Sequence, residues 1–332
     1  MDWFEKLMGF KEREYSDTRQ RLALEGTLIR SSANGKSYDA GILELVSLQN
    51  LRDRVGEVDG AARRLKFSTA VGDVRKMHAS QEYAGALFQV ASQFNLLEMV
   101  GPDVTPEAGV GRYEQDGTQG PACAMAAGAA TIYRNYFVPV QGATGQTRDR
   151  QLDGLAAIGN ALGQALDIPR ATLWSMRNGY AMCPRSSLDA ISRHLENLDK
   201  ESRDALKAEL RIGVHSQVEV TDSSAPGQRV SQAFCSALPV AYGDVPAVYW
   251  ELFARLILEA AYEATLWAGV LNARSGGSKI VLLTRLGGGA FGNAPLWIED
   301  SIRIAVDKAL QFDLDVRLIS FDSAGSLFNP LP

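Results

Sequence analysis

The segment Leu286-Gly287-Gly288-Gly289-Ala290-Phe291-Gly292-Asn293 limits the possible folds of this chain more than any other. It follows the apolar run Ile-Val-Leu-Leu-Thr at 280–284, whose length suits a buried strand, and it precedes a helix predicted over 295–310. An unbroken apolar strand must be covered on both faces, so helices are needed on two sides of a sheet. Glycines between a strand and a helix let consecutive backbone N–H groups face one concavity and let a phosphate come close. Strand ends in open α/β sheets are also where ligands sit. The segment is therefore read as a phosphate cradle rather than a plain turn. Phe291, which a plain turn would expose, is read as a cover for a ribose.

The same alternation recurs along the chain. Strands are predicted at 65–71, 86–91, 230–240 and 316–321, with a compact small-residue helix over 122–130 and a long helix over 247–273. The long helix carries Glu251, Arg255, Glu259 and Glu263 at four-residue spacing, which predicts a solvated face. The expected fold is α/β: a three-layer α/β/α mixed sheet. Residues 65–140 and 229–332 form its core, and residues 1–64 are read as an N-terminal extension packed on it. Residues 141–228 are read as a mainly helical insertion, since Leu188, Ile191, Leu195 and Leu198 recur at helical spacing.

Composition narrows the function classes. The chain has 332 residues, 46% hydrophobic and 22% charged, with net charge -5 and no dense Lys/Arg run, so a nucleic-acid role is not expected. The first residues, MDWFEKLMGFKEREY, do not read as a secretory leader, and no apolar run is long enough to span a membrane. Cys123, Cys183 and Cys235, like His78, His194 and His215, are scattered, so neither a disulfide framework nor a metal site is expected. Free thiols suit a cytoplasmic location.

Three weaker motifs accompany the glycine segment. Asp116-Gly117-Thr118-Gln119-Gly120-Pro121-Ala122 opens the small-residue helix, where unpaired N–H groups favour an anion. Gly72-Asp73-Val74 and Ala91-Ser92-Gln93-Phe94-Asn95 each end a strand and offer polar side chains to a ligand there. Between Asn95 and Gln119 runs a loop rich in Gly and Pro that holds Glu98, Asp103, Glu107, Glu114 and Asp116.

Together these motifs resemble the macrodomain superfamily, the ADP-ribose-binding fold. The phrases ASQFN, TQGPACA and LGGGAFGN are similar to a divergent MavL-like group, related to bacterial effectors that remove ADP-ribose from arginine side chains. The resemblance implies that Asp73, beside Val74, contacts the adenine amino group. It implies that Asn95, following Gln93, faces the distal ribose. Thr118, Gln119, Gly120 and Ala122 correspond to a first phosphate loop. Gly287, Gly288, Gly289, Ala290, Gly292 and Asn293 correspond to a second, with Phe291 as its ribose-covering ring and Phe321 stacked on adenine. The aspartate that common macrodomain hydrolases carry would fall near Gly120, so a hydrolase must draw on other acids. Glu107 and Asp116 are the first choices, with Glu98 and Asn95 beside them. Cleaving an N-glycosidic bond builds positive charge at the anomeric carbon and requires proton transfer. The expected activity is hydrolysis of protein-linked ADP-ribose, arginine-linked favoured, with no cofactor required. The alternatives are a non-catalytic reader of ADP-ribose or a related nucleotide, and an interaction scaffold.

Overall fold

The computed structural model describes residues 1–56, 64–222 and 226–321. The parts of the expected extension, insertion and core that fall on 57–63, 223–225 and 322–332 lie outside the described residues. The main sheet has seven strands: β1 (Ile42–Ser47), β2 (Lys66–Val71), β3 (Leu87–Ala91), β4 (Arg211–Glu219), β5 (Arg229–Cys235), β6 (Ile280–Leu283) and β7 (Asp315–Ser320). Their spatial order is β1-β4-β5-β3-β6-β7-β2. The five strands from β5 to β2 run parallel; β4 pairs antiparallel with β5, and β1 pairs antiparallel with β4 at the edge.

Side-chain alternation along these strands separates two cores. Leu87, Ala233, Cys235, Val281, Leu283, Val316 and Leu318 face one side. Phe88, Val90, Val230, Phe234, Leu282 and Ile319 face the other. Helices α1 (Leu48–Val55), α8 (Glu251–Arg274) and α9 (Pro295–Ala309) cover the first side. Helices α2 (Val74–Ala79), α3 (Gln119–Ala126) and α4 (Gly128–Tyr136) cover the second. The molecule is a three-layer α/β/α mixed sheet. Among the described residues, no helix is long and apolar enough to cross a membrane.

The sheet draws on more of the chain than expected. β1 comes from the segment read as an extension, and β4 from the segment read as an insertion. Both are outer antiparallel strands with mixed burial, and β4 carries His215 and Gln217 among its apolar residues. Such strands lack the nearly continuous apolar run that marks β3 and β6. The N-terminal residues Trp3, Phe4, Leu7 and Met8 pack outside α3 and α4 in a third cluster. The middle segment contributes α5 (Ala156–Leu166), α6 (Arg185–Asn197), α7 (Lys200–Ala208) and a short hairpin, Ser175–Arg177 with Tyr180–Met182.

The face of α8 expected to be solvated is instead the floor of a charged network. Glu263, with a side chain 2% exposed, accepts from Arg52 Nε and Lys308 Nζ at 2.6 Å each. Glu259 pairs with Arg203 at 3.4 Å and with Lys207 at 3.2 Å. A four-residue charge spacing marks one helix face, and here α1, α7 and α9 bring opposite charges onto it.

Candidate functional site

The parallel strands all deliver their carboxyl ends to one edge of the sheet, so the loops after β2, β3, β5 and β6 gather there. The glycine loop follows β6 as expected. Gly287 has φ +73°, and a Cβ on it would lie 2.5 Å from Ala237 Cβ, so glycine is required at this turn. Gly288 N–H donates to Arg285 O at 3.0 Å and Gly292 N–H to Gly289 O at 3.0 Å. Between them, the N–H groups of Gly289, Ala290 and Phe291 find no acceptor among the described residues. Gly288, Gly289 and Ala290 are exposed, and a Cβ on Gly289 would meet nothing within 4 Å. Consecutive unpaired N–H groups make an anion-binding concavity. Asn293 closes the loop: its N–H donates to Gly287 O at 2.9 Å and its Nδ2 to Leu238 O at 2.9 Å. Its Oδ1 is buried without a partner.

Phe291 is half-buried in an aromatic cluster. Its ring centroid lies 5.2 Å from Tyr180 and 5.4 Å from Tyr242, which are 5.0 Å from each other. Burial raises the Tyr180 hydroxyl pKa, and the neighbouring Tyr242 and the Asp116 carboxylate raise it further. The Asp116 carboxylate is thus within electrostatic reach of Tyr180. Its Oδ1 accepts from Thr118 N–H at 2.9 Å, holding the tight turn that opens α3. Thr118 itself is exposed at the N-cap, and Ala122 is half-buried in the first turn after it.

Several expected ligand groups are committed to the fold. Gln119 Oε1 accepts from Ala91 N–H at 2.9 Å, while its Nε2 donates to Gln89 O at 2.8 Å. Its amide completes the edge of β3 where β6 has already ended, so it is a structural group. A Cβ on Gly120 would lie 2.1 Å from Ala91 O, so Gly120 permits α3 to close on that strand. Gln93 clamps the backbone of Met99 through both amide atoms, at 3.0 and 3.2 Å. Asn95 is fully buried: its Nδ2 donates to Gln151 at 3.0 Å and Asn178 at 3.3 Å, and its Oδ1 accepts from Leu97 N–H at 3.1 Å. A side chain so engaged does not reach a distal ribose.

The acids separate as well. Glu98 is 2% exposed and faces Arg134 Nη2 at 3.3 Å, under the first turn of α3. Burial pushes its carboxyl up to about 7, opposed by Arg134 and Tyr113. It supports the fold from within. Glu107 is exposed, and its Oε1 accepts from Arg148 N–H at 2.8 Å. Hydrogen bonds from Thr105 and Arg148 outweigh its partial burial and lower its pKa, the wrong direction for a general acid or base near neutrality. Its charge also acts on Tyr15 of the N-terminal segment. Of the four expected catalytic residues, Asp116 alone combines a partly exposed side chain with electrostatic reach to Tyr180.

Asp73 N-caps α2, one oxygen accepting from Arg75 N–H at 2.9 Å; the other has no hydrogen-bond partner among the described residues. Val74 is buried behind it. Phe321, at the end of β7, is 83% exposed. Tyr180 and Tyr242 were not expected. The Asn178-Gly179 pair between the two short strands was the available signal for the first. Two clefts share no lining residue with this crevice. One, of about 540 Å³, lies between α6 and the start of α8 and includes Arg193 and Tyr249. The other, of about 890 Å³, lies at the amino ends of β3 and β5 and includes Gly85 and Arg229. Neither contains a glycine loop with unpaired donors beside an acid.

No family model and no curated protein matches this chain. Solved structures of poly(ADP-ribose) glycohydrolases overlay on it weakly. The enzyme from Thermomonospora curvata does so with a TM-score of 0.39 and 14% identity, over 92% of this chain and 90% of that one. The enzyme from Deinococcus radiodurans in complex with ADP-ribose gives 0.39 and 12%, over 85% and 88%. Similarity at this level assigns no function to the present chain.

Proposed function

We propose that this chain is a macrodomain-like protein that binds ADP-ribose at the carboxyl edge of its sheet and hydrolyses its bond to a modified protein. The observation that carries the reading is the run of three unpaired N–H groups at residues 289–291, directly after a parallel strand. Such a run suits a diphosphate, whose charge it meets with fixed dipoles. Phe291 then covers the distal ribose, and Asp73 and Phe321 stand at the end of the neighbouring strands for adenine. Asp116 is the acid of the reaction. As the C–N bond breaks, its electron pair goes to nitrogen and the substrate guanidinium leaves as a neutral guanidine; water adds to the anomeric carbon, and Asp116 takes its proton and passes it to the guanidine. A carboxylate also balances the guanidinium of an arginine-linked substrate, which is why that linkage is favoured. No cofactor is required, and a cytoplasmic location fits three free, buried cysteines.

Release of ADP-ribose from arginine-, glutamate- and serine-linked proteins tests the reaction. Asp116→Asn is expected to lower turnover by roughly 10²–10⁴-fold while ADP-ribose still binds. Glu107→Gln is expected to keep full activity, because its carboxylate is tied to Arg148. A wild-type protein that binds ADP-ribose and releases none from any linkage supports the alternative of a reader. That alternative draws on one observation: Glu98 and Glu107 are both committed elsewhere.

A further inference from the structure

The hairpin formed by Ser175–Arg177 and Tyr180–Met182 belongs to the helical segment whose role the sequence left open. Its two turn residues, Asn178 and Gly179, have φ of 48° and 77°, the pair of positive values that a tight two-residue hairpin demands. The turn is seated in the loop that follows β3. Phe94 N–H donates to Gly179 O at 3.0 Å. Asn178 Nδ2 donates to Val104 O and Gly101 O, and its Oδ1 accepts from Asn95 and Gln151. Gln93 and Asn95 are the walls of this socket: a Cβ on Gly179 would lie 2.7 Å from each.

Tyr180 follows the turn. It is 1% exposed, and its hydroxyl donates to Met99 O at 2.9 Å. Its ring therefore has a fixed base in the loop after β3 and meets the Phe291 ring of the glycine loop at 5.2 Å. Phe291 sits among exposed residues and has Tyr180 and Tyr242 as its aromatic contacts among the described residues. We infer that this hairpin is a wall of the ligand site and that Tyr180 is a positioning residue, fixing Phe291 over the distal ribose. The inference rests on the ADP-ribose reading given above. The Tyr180 ring, rather than its hydroxyl, carries the role, since Met99 O keeps a second donor in Gln93 Nε2.

Calorimetry with ADP-ribose and with ADP, on the full chain, separates the possibilities. ADP carries the diphosphate and lacks the distal ribose. Tyr180→Phe is expected to bind both ligands as wild type does. Tyr180→Leu, which fills the space without a ring, is expected to lose about tenfold in affinity for ADP-ribose and nothing for ADP. Tyr180→Ala is expected to follow the leucine variant if it folds; the leucine variant decides if it does not. Unchanged ADP-ribose affinity in Tyr180→Leu, an equal loss for both ligands, or a phenylalanine variant as weak as leucine would overturn the inference. If wild type binds neither ligand, the reading of the site itself fails and the inference falls with it.

Discussion

Glu98 shows how a single residue can look functional in sequence and be structural in space. It lies in an acid-rich loop beside the first phosphate-loop motif, yet it is sealed against Arg134, which stacks over the Phe234 ring at 3.8 Å. Its burial has a measurable sign. With a folded pKa of about 7 against an ordinary value near 4.5, the native state holds the proton over a range where the unfolded chain has released it. Stability from this group is therefore present at low pH and falls as pH rises from about 4.5 to 7. Denaturant titrations of wild type and Glu98→Gln between pH 5 and 7.5 should show wild type losing ground on the variant as pH rises, by at most about 3 kcal/mol. A gap that widens in favour of wild type would mean that the ion pair dominates burial. Asp73 caps α2 and Asp116 holds the turn before α3, local features that a short stretch of sequence records. Gln93, Asn95 and Gln119 also engage partners up to 83 residues away, a distance that no local pattern records.

At the scale of elements, legibility followed burial. β3 and β6 are parallel, covered on both sides, and visible as short, nearly continuous apolar runs. β1 and β4 have mixed patterns and were assigned to flanking segments. Other boundaries moved for local reasons. The small-residue helix splits at Ala127, whose ψ of 63° is not helical, into α3 and α4. The helical spacing read from Leu188 to Leu198 ends with α6, and Asp199 starts α7 by accepting from Ser202 N–H at 2.7 Å. The hairpin that carries Tyr180 is only three residues a side, too short for periodicity to reveal. Its turn sets a strict demand. Gly179→Ala adds a Cβ at positive φ and within 2.7 Å of Asn95 and Gln93, and should destabilise the fold by roughly 1–3 kcal/mol. A melting temperature equal to wild type would show that the turn is not seated as described.

Across the whole molecule, the N-terminal segment is part of the domain rather than an appendage. β1 closes one side of the sheet, and α1 sends Arg52 into the network with Asp204, Glu263 and Lys308. Glu263 is the buried member of this cluster, while Arg52 and Lys308 are partly exposed and keep Asp204 as a partner. Glu263→Gln should therefore cost about 1–3 kcal/mol in denaturant unfolding; a cost below about 0.5 kcal/mol would mean that solvent screens the network. The same architecture places every loop of the proposed site at one edge of the parallel strands, with the middle segment supplying a wall. Isothermal calorimetry with ADP-ribose and AMP, on wild type and Gly289→Glu, tests that arrangement most directly. Gly289 has open space around its Cβ position, so the glutamate variant should fold while its side chain and charge occupy the phosphate concavity. Wild type should bind ADP-ribose, with AMP weaker by at least about tenfold, and Gly289→Glu should bind neither. Equal affinity for the two nucleotides, or unchanged ADP-ribose binding in a folded Gly289→Glu, would contradict the diphosphate site.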